Sequence, residues 1–182
     1  MEPHKPQIIL PTWKLLWKLK AAPRTRLLMW NILSDKIPTG TNLMKRSFHG
    51  PFWCHLCLNV EQSTEHLFLN FPSFKEFWNS IIAHYPTLNN WHGQDILDAW
   101  STWCQNQNEK SRNMPLIVCW SLWISRNQSI FKHKSPHWHA ISLHTIVDFD
   151  LLLEEDSITP PRTIIPEIID KSKPWAYFDG SA

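Results

Sequence analysis

Cys54-His55-Leu56-Cys57, followed by Glu65-His66-Leu67-Phe68-Leu69-Asn70-Phe71-Pro72, is the stretch that decides how this chain folds. Two cysteines separated by two residues present two thiolates to one Zn2+ from a single tight turn. His66 offers an imidazole as a third ligand. A structural zinc site closes with four ligands in a tetrahedron. The next position at zinc-finger-like spacing is Phe71, whose ring binds no metal. The stretch therefore reads as a metal turn with three ligands, Cys54, Cys57 and His66, and an aromatic ring in the fourth place.

Structural zinc contributes about 10–16 kcal/mol of apparent binding energy in finger peptides, enough to order a loop without a core of its own. Three protein ligands bind more weakly, and an open position is also how catalytic zinc is held. No general base is matched to such chemistry here. His49 and His55 are substitute ligands; His55, between the cysteines, reaches back only under strain. The metal-free alternative packs Phe71 with Phe68, Phe74 and Trp78. Both readings remain open at this level.

Outward from the turn, the patterning is helical. A short amphipathic segment spans 14–20. Pro23 suits a first helical turn, and that helix runs to about Ser34 with Leu27, Trp30 and Leu33 on one face and Ile32 beside them. Thr41 is the expected N-cap of 42–46. Pro72 opens a helix with an apolar stripe of Phe74, Phe77, Trp78, Ile81 and Ile82. After a polar loop at 86–94, residues 95–105 are amphipathic. Residues 114–132 form the longest helical pattern and are apolar nearly all round at the start, as a central helix should be. Pro136 opens a further helix to about Glu155. Prolines then mark a linker at 157–174, and the aromatic alternation of 175–182 reads as a strand with no partner. The expected fold is mainly α: a small helical domain around a zinc-finger-like cysteine turn, a Pro-rich linker and an orphan C-terminal β-strand.

Composition narrows the function classes. Four glycines leave no glycine-rich phosphate loop, and no nucleophile elbow is present. Four cysteines in this arrangement make no disulfide framework, and Cys104 and Cys119 fall in apolar stretches as buried thiols. No signal peptide is legible, and the longest uncharged apolar run, 114–124, is too short for a bilayer. A soluble, reducing intracellular setting is expected, with no choice between nucleus and cytoplasm and no membrane partner. The first 50 residues hold nine Lys or Arg against two acids, while the remainder is net acidic. Lys14, Lys18, Lys20, Arg24, Arg26, Lys45 and Arg46 are interleaved with Trp13, Trp17 and Trp30, a pattern that serves phosphate contact and base stacking. The competing reading is a solvated basic face with core tryptophans, and the second of these is favoured for the tryptophans.

A run of blocks carries a family resemblance. They are Trp13-Lys-Leu-Leu-Trp17-Lys-Leu-Lys20, Ala22-Pro23-Arg24-Thr25-Arg26-Leu-Leu-Met-Trp30, Leu33-Ser-Asp-Lys-Ile-Pro38-Thr39-Gly40 and Asn42-Leu-Met-Lys45-Arg46. The cysteine turn and the block from Glu65 to Pro72 follow, as far as Trp78. In this order they resemble the zinc-binding region of plant LINE-type (non-LTR retrotransposon) reverse transcriptases, between the polymerase and RNase H domains. The family usually has cysteine where Phe71 stands. Trp120-Ser-Leu-Trp123-Ile-Ser-Arg126-Asn127-Gln-Ser-Ile-Phe131 resembles the helical segment before RNase H, and Trp175-Ala-Tyr-Phe-Asp179-Gly-Ser-Ala182 its first strand.

The resemblance implies a zinc-binding-like domain at 13–84, a helical extension at 93–156, the linker at 157–174 and the truncated start of an RNase H-like domain at 175–182. It implies Zn2+ as cofactor, RNA or DNA as partner, and polymerase and RNase H domains as neighbours. Asp179 matches the acid that holds Mg2+ on such a first strand. Two-metal chemistry needs several converging carboxylates, so Asp179 is expected to be an orphan acid and the chain to be no enzyme. The alternative is a metal-free helical domain for structural or protein contacts.

Overall fold

The computed structural model describes residues 10–158 except 51, 89 and 90. These fold as helices α1 (Leu10–Lys18), α2 (Pro23–Leu33), α3 (Gly40–Lys45), α4 (Pro72–His84), α5 (Ile96–Asn106), α6 (Met114–Lys132) and α7 (Trp138–Ile158). A π-helical turn at His66–Asn70 leads into α4, and a 3-10 turn at Ser111–Asn113 leads into α6. The mainly helical expectation holds among these residues. The linker beyond 158, the 175–182 strand and Asp179 lie outside them.

Local chemistry sets the helix boundaries. Proline occupies the first turn of α2, α4 and α6, where its missing N–H leaves no bond unmade. Asp95 caps α5 by accepting from the Asp98 N–H at 2.8 Å. α6 ends where His133 turns left-handed, with φ 52°. Thr41 does not cap α3. The cap position is Thr39, two residues earlier, and the Thr41 hydroxyl donates to the Gln62 carbonyl at 3.3 Å. α7 begins at Trp138, two residues beyond the proline expected to open it.

α4 packs along α7, α2 along α6, and α6 on α7, around one apolar core that runs from Leu16 to Phe149. Met29, Ile32, Phe68, Phe74, Trp100, Leu116 and Leu122 are fully enclosed in it. Each such side chain contributes about 1.5–3 kcal/mol of burial. The buried face of α2 is Leu28, Met29, Ile32 and Leu33, so Leu27 points outward, 52% exposed, against the expected stripe. A run of four apolar residues gave two possible faces, and contact with α6 selects the second. The tryptophans near the N-terminus divide. Trp13 and Trp30 meet edge to face at 6.5 Å and join α1 to α2, while Trp17 stands exposed. Among the described residues, no helix is long and apolar enough to cross a membrane.

Candidate metal centre

The cysteine turn is a short hairpin. Trp53 and Glu61 face each other in an antiparallel bridge, and the Gln62 N–H donates to Phe52 while the Cys54 N–H donates to Val60, both at 2.8 Å. The Leu58 N–H closes the turn on the Cys54 carbonyl at 2.8 Å, with Leu58 itself at φ 58°. α3 lies directly beneath. A Cβ on Gly40 would stand 2.5 Å from the Phe52 carbonyl oxygen, so only glycine permits this approach. His66 arrives from the other side, its N–H held by the Ser63 hydroxyl at 2.9 Å.

The expected ligands converge. The sulfurs of Cys54 and Cys57 and a ring nitrogen of His66 all lie within 4.8 Å of one another. Cys57 Sγ and His66 Nε2 are 3.5 Å apart. Tetrahedral zinc, with Zn–S about 2.3 Å and Zn–N about 2.0–2.1 Å, spaces sulfur and nitrogen by about 3.5–3.6 Å. The Cys57–His66 spacing therefore fits a zinc ion, and the three donors lie close enough to hold one metal. Burial holds the His66 pKa below its usual value, which keeps the imidazole in the neutral form that binds metal. Burial pushes the Cys54 thiol up, opposed by the N–H groups of Leu56 and Cys57 and the amide of Gln62 aimed at its sulfur.

Phe71 fills the fourth side. It is 2% exposed, and its ring meets His66 at 5.8 Å and Trp138 of α7 at 5.6 Å, both edge to face. Its ring contacts are thus with His66 and α7, while the expected neighbours Phe68, Phe74 and Trp78 share the same apolar core. His49 and His55 are exposed and stand outside the three-ligand group.

Two residues support the turn that spacing did not single out. The buried Gln62 donates from Nε2 to Cys54 Sγ at 3.8 Å. Its Oε1 accepts from Arg126 Nε at 3.0 Å and from Arg126 Nη2 at 2.6 Å. Arg126, 6% exposed on α6, also donates to the Pro38 carbonyl at 3.3 Å and stacks 4.8 Å over Trp123. Burial lowers its pKa to about 10, with the Cys54 thiol acting in the opposite direction, so it remains charged at neutral pH. Arg126 stands in the 120–131 block, but nothing in the sequence marks its guanidinium as buried, and no spacing rule connects it to residue 62.

The basic residues split. Arg26 donates to the Trp17 and Leu19 carbonyls at 3.0 and 3.3 Å and so finishes α1. Arg24 lies 5.2 Å over the Trp120 ring. Lys45 pairs with Asp35 at 3.0 Å, and Arg46 donates to the Lys36 carbonyl at 3.0 Å while remaining exposed. Lys14 and Lys18 are exposed on α1, and Lys20 borders Glu109 and Lys110. Much of the cationic pattern therefore joins elements to one another.

Residues 1–78 match the family model for zinc-binding in reverse transcriptase. All three candidate ligands lie inside the matched segment, and Arg126 lies beyond it. Compared with curated proteins and with solved structures, the chain finds no significant match. The family match and the Cys–Cys–His group together fit a zinc-binding reverse-transcriptase module.

Proposed function

We propose that this chain is the non-catalytic zinc-binding module of a LINE-type reverse transcriptase, holding nucleic acid and bracing neighbouring polymerase and RNase H domains. The convergence of Cys54, Cys57 and His66 to within 4.8 Å carries the reading. Zinc bound there would tie the 54–57 turn to the start of the π-helical turn and so fix the hairpin on α3 and α4. Cys54, Cys57 and His66 hold it, Gln62 orients the Cys54 sulfur, and Phe71 keeps water from that side. The basic surplus of the first 50 residues supports a polyanionic partner. The plant LINE origin and the RNase H role of Asp179 rest on the sequence blocks. Titration of the metal-free chain with Co2+ tests the site: thiolate-to-cobalt absorption that disappears in Cys54→Ser supports it, and absence of that absorption opposes it.

A second reading has its own observation. Phe71 is packed as a core residue between His66 and Trp138, which is how a metal-free helical domain for protein contacts would use that position.

A further inference from the structure

Of the eleven large apolar side chains left exposed among the described residues, five, Met44, Phe48, Trp53, Leu58 and Val60, fall between positions 44 and 60, and Trp53 and Leu58 border one depression at the cysteine turn. Scattered exposed apolar residues are ordinary, whereas a gathering of them marks an interaction surface. Leu58 bears two costs at once. Its side chain is 71% exposed, and its backbone is left-handed at φ 58°, a conformation that L residues adopt against steric resistance. The left-handed backbone lets the Leu58 N–H close the cysteine turn on the Cys54 carbonyl, whereas the exposure of its side chain has no such return within the fold.

Trp53, His55, Leu58 and Asn59 line one depression of about 450 Å3, within the roughly 300–1,000 Å3 of small-ligand sites. It offers an aromatic face, an aliphatic face, an imidazole and an amide. Between positions 44 and 60 stand Lys45, Arg46, His49 and His55 and no acid. Lys45 pairs with Asp35, and Arg46 donates to the Lys36 carbonyl while remaining exposed. Glu61, across the bridge from Trp53, is the nearest acid along the chain and can accept from an exocyclic amine.

We infer that this depression takes an unpaired base of single-stranded RNA or DNA, stacked on Trp53 and Leu58, in a stretch whose only charged side chains, Lys45 and Arg46, are basic. In a duplex the faces of the bases are covered by stacking, so such a surface selects single strands. The inference rests on the nucleic-acid part of the reading above and moves the contact from the N-terminal helices to the cysteine turn.

Fluorescence anisotropy on the full chain with zinc present tests it. The probes are a labelled single strand of about 20 nucleotides, longer than the 4–16 of single-strand binding folds, and the matching duplex. The expected result is preference for the single strand, with affinity falling about tenfold in Trp53→Ala and in Leu58→Gly. Leu58→Gly relieves the backbone, so it should bind less while melting at the same or a higher temperature. Parental affinity in both variants, with loss in Lys14→Glu/Lys18→Glu, overturns this inference and retains the nucleic-acid reading. No binding by the parent overturns both.

Discussion

Arg126 and Gln62 are joined by two hydrogen bonds, 3.0 and 2.6 Å long, across 64 residues of sequence. The same Gln62 amide donates to Cys54 Sγ. A helix outside the family-matched segment thereby reaches the candidate metal turn through one side chain. Arg126→Met leaves the Gln62 and Pro38 oxygens without their donor and should cost about 2–4 kcal/mol in urea unfolding. Arg126→Lys should recover less than half, because an ammonium cannot present the paired N–H groups.

Gly40 gives a second prediction about the turn. A methyl group there would meet the Phe52 backbone, at 2.5 Å from its oxygen and 3.0 Å from its carbonyl carbon. Neither is a flexible side chain that can swing away. Gly40→Ala should lower stability by about 1–3 kcal/mol by forcing α3 from the hairpin. A parental melting temperature in that variant would show that α3 and the hairpin separate freely.

Asp35 links the end of α2 to α3 and to the segment before His66. Its carboxylate accepts from Thr64 at 2.6 Å, from Asn42 at 2.7 Å and from Lys45 at 3.0 Å. Burial pushes its pKa up, and these bonds outweigh it, so the folded value lies below the usual one. The stabilisation is therefore complete above the unfolded pKa of about 3.9 and disappears as pH falls through the lower folded value. With the side chain half exposed, solvent limits it to about 1 kcal/mol. Acid unfolding of the parent and of Asp35→Asn should converge below that pH and diverge above it; parallel curves would remove Asp35 from this role.

Phe71 separates packing from metal binding. Without zinc, Phe71→Ala should cost about 3–5 kcal/mol, as expected for a large core side chain. Phe71→Cys should be nearly as unstable without metal and regain stability with zinc, because it supplies the fourth ligand. Equal response of parent and Phe71→Cys to zinc, measured by thermal melting, would show that the cysteine does not reach the site.

The parts of the fold that follow from periodicity and proline were legible in the sequence. α6 spans the expected 114–132, and Pro23 and Pro72 open α2 and α4. The three-ligand group was legible because two of its members share one turn and the third follows closely. What stayed hidden depends on tertiary contact. The face of α2 was decided by α6, not by the local pattern. The π-helical turn at His66–Asn70 has no sequence signature, and its Phe68 carbonyl is taken up by the Trp91 indole at 2.9 Å, from a residue well along the chain. The basic residues gave a correct charge count but no hint that Arg26 and Arg24 would be used inside the fold.

Cys54, Cys57 and His66 are proposed to hold zinc without a third cysteine as the fourth ligand. The most direct measurement is zinc content by elemental analysis of the purified chain alongside Cys54→Ser and Phe71→Cys. Near-stoichiometric zinc is expected in the parent, with loss in Cys54→Ser and retention in Phe71→Cys. A parent without zinc contradicts it: zinc in Phe71→Cys alone would mean a scaffold whose site is disabled, and zinc in none of the three would leave a helical interaction domain.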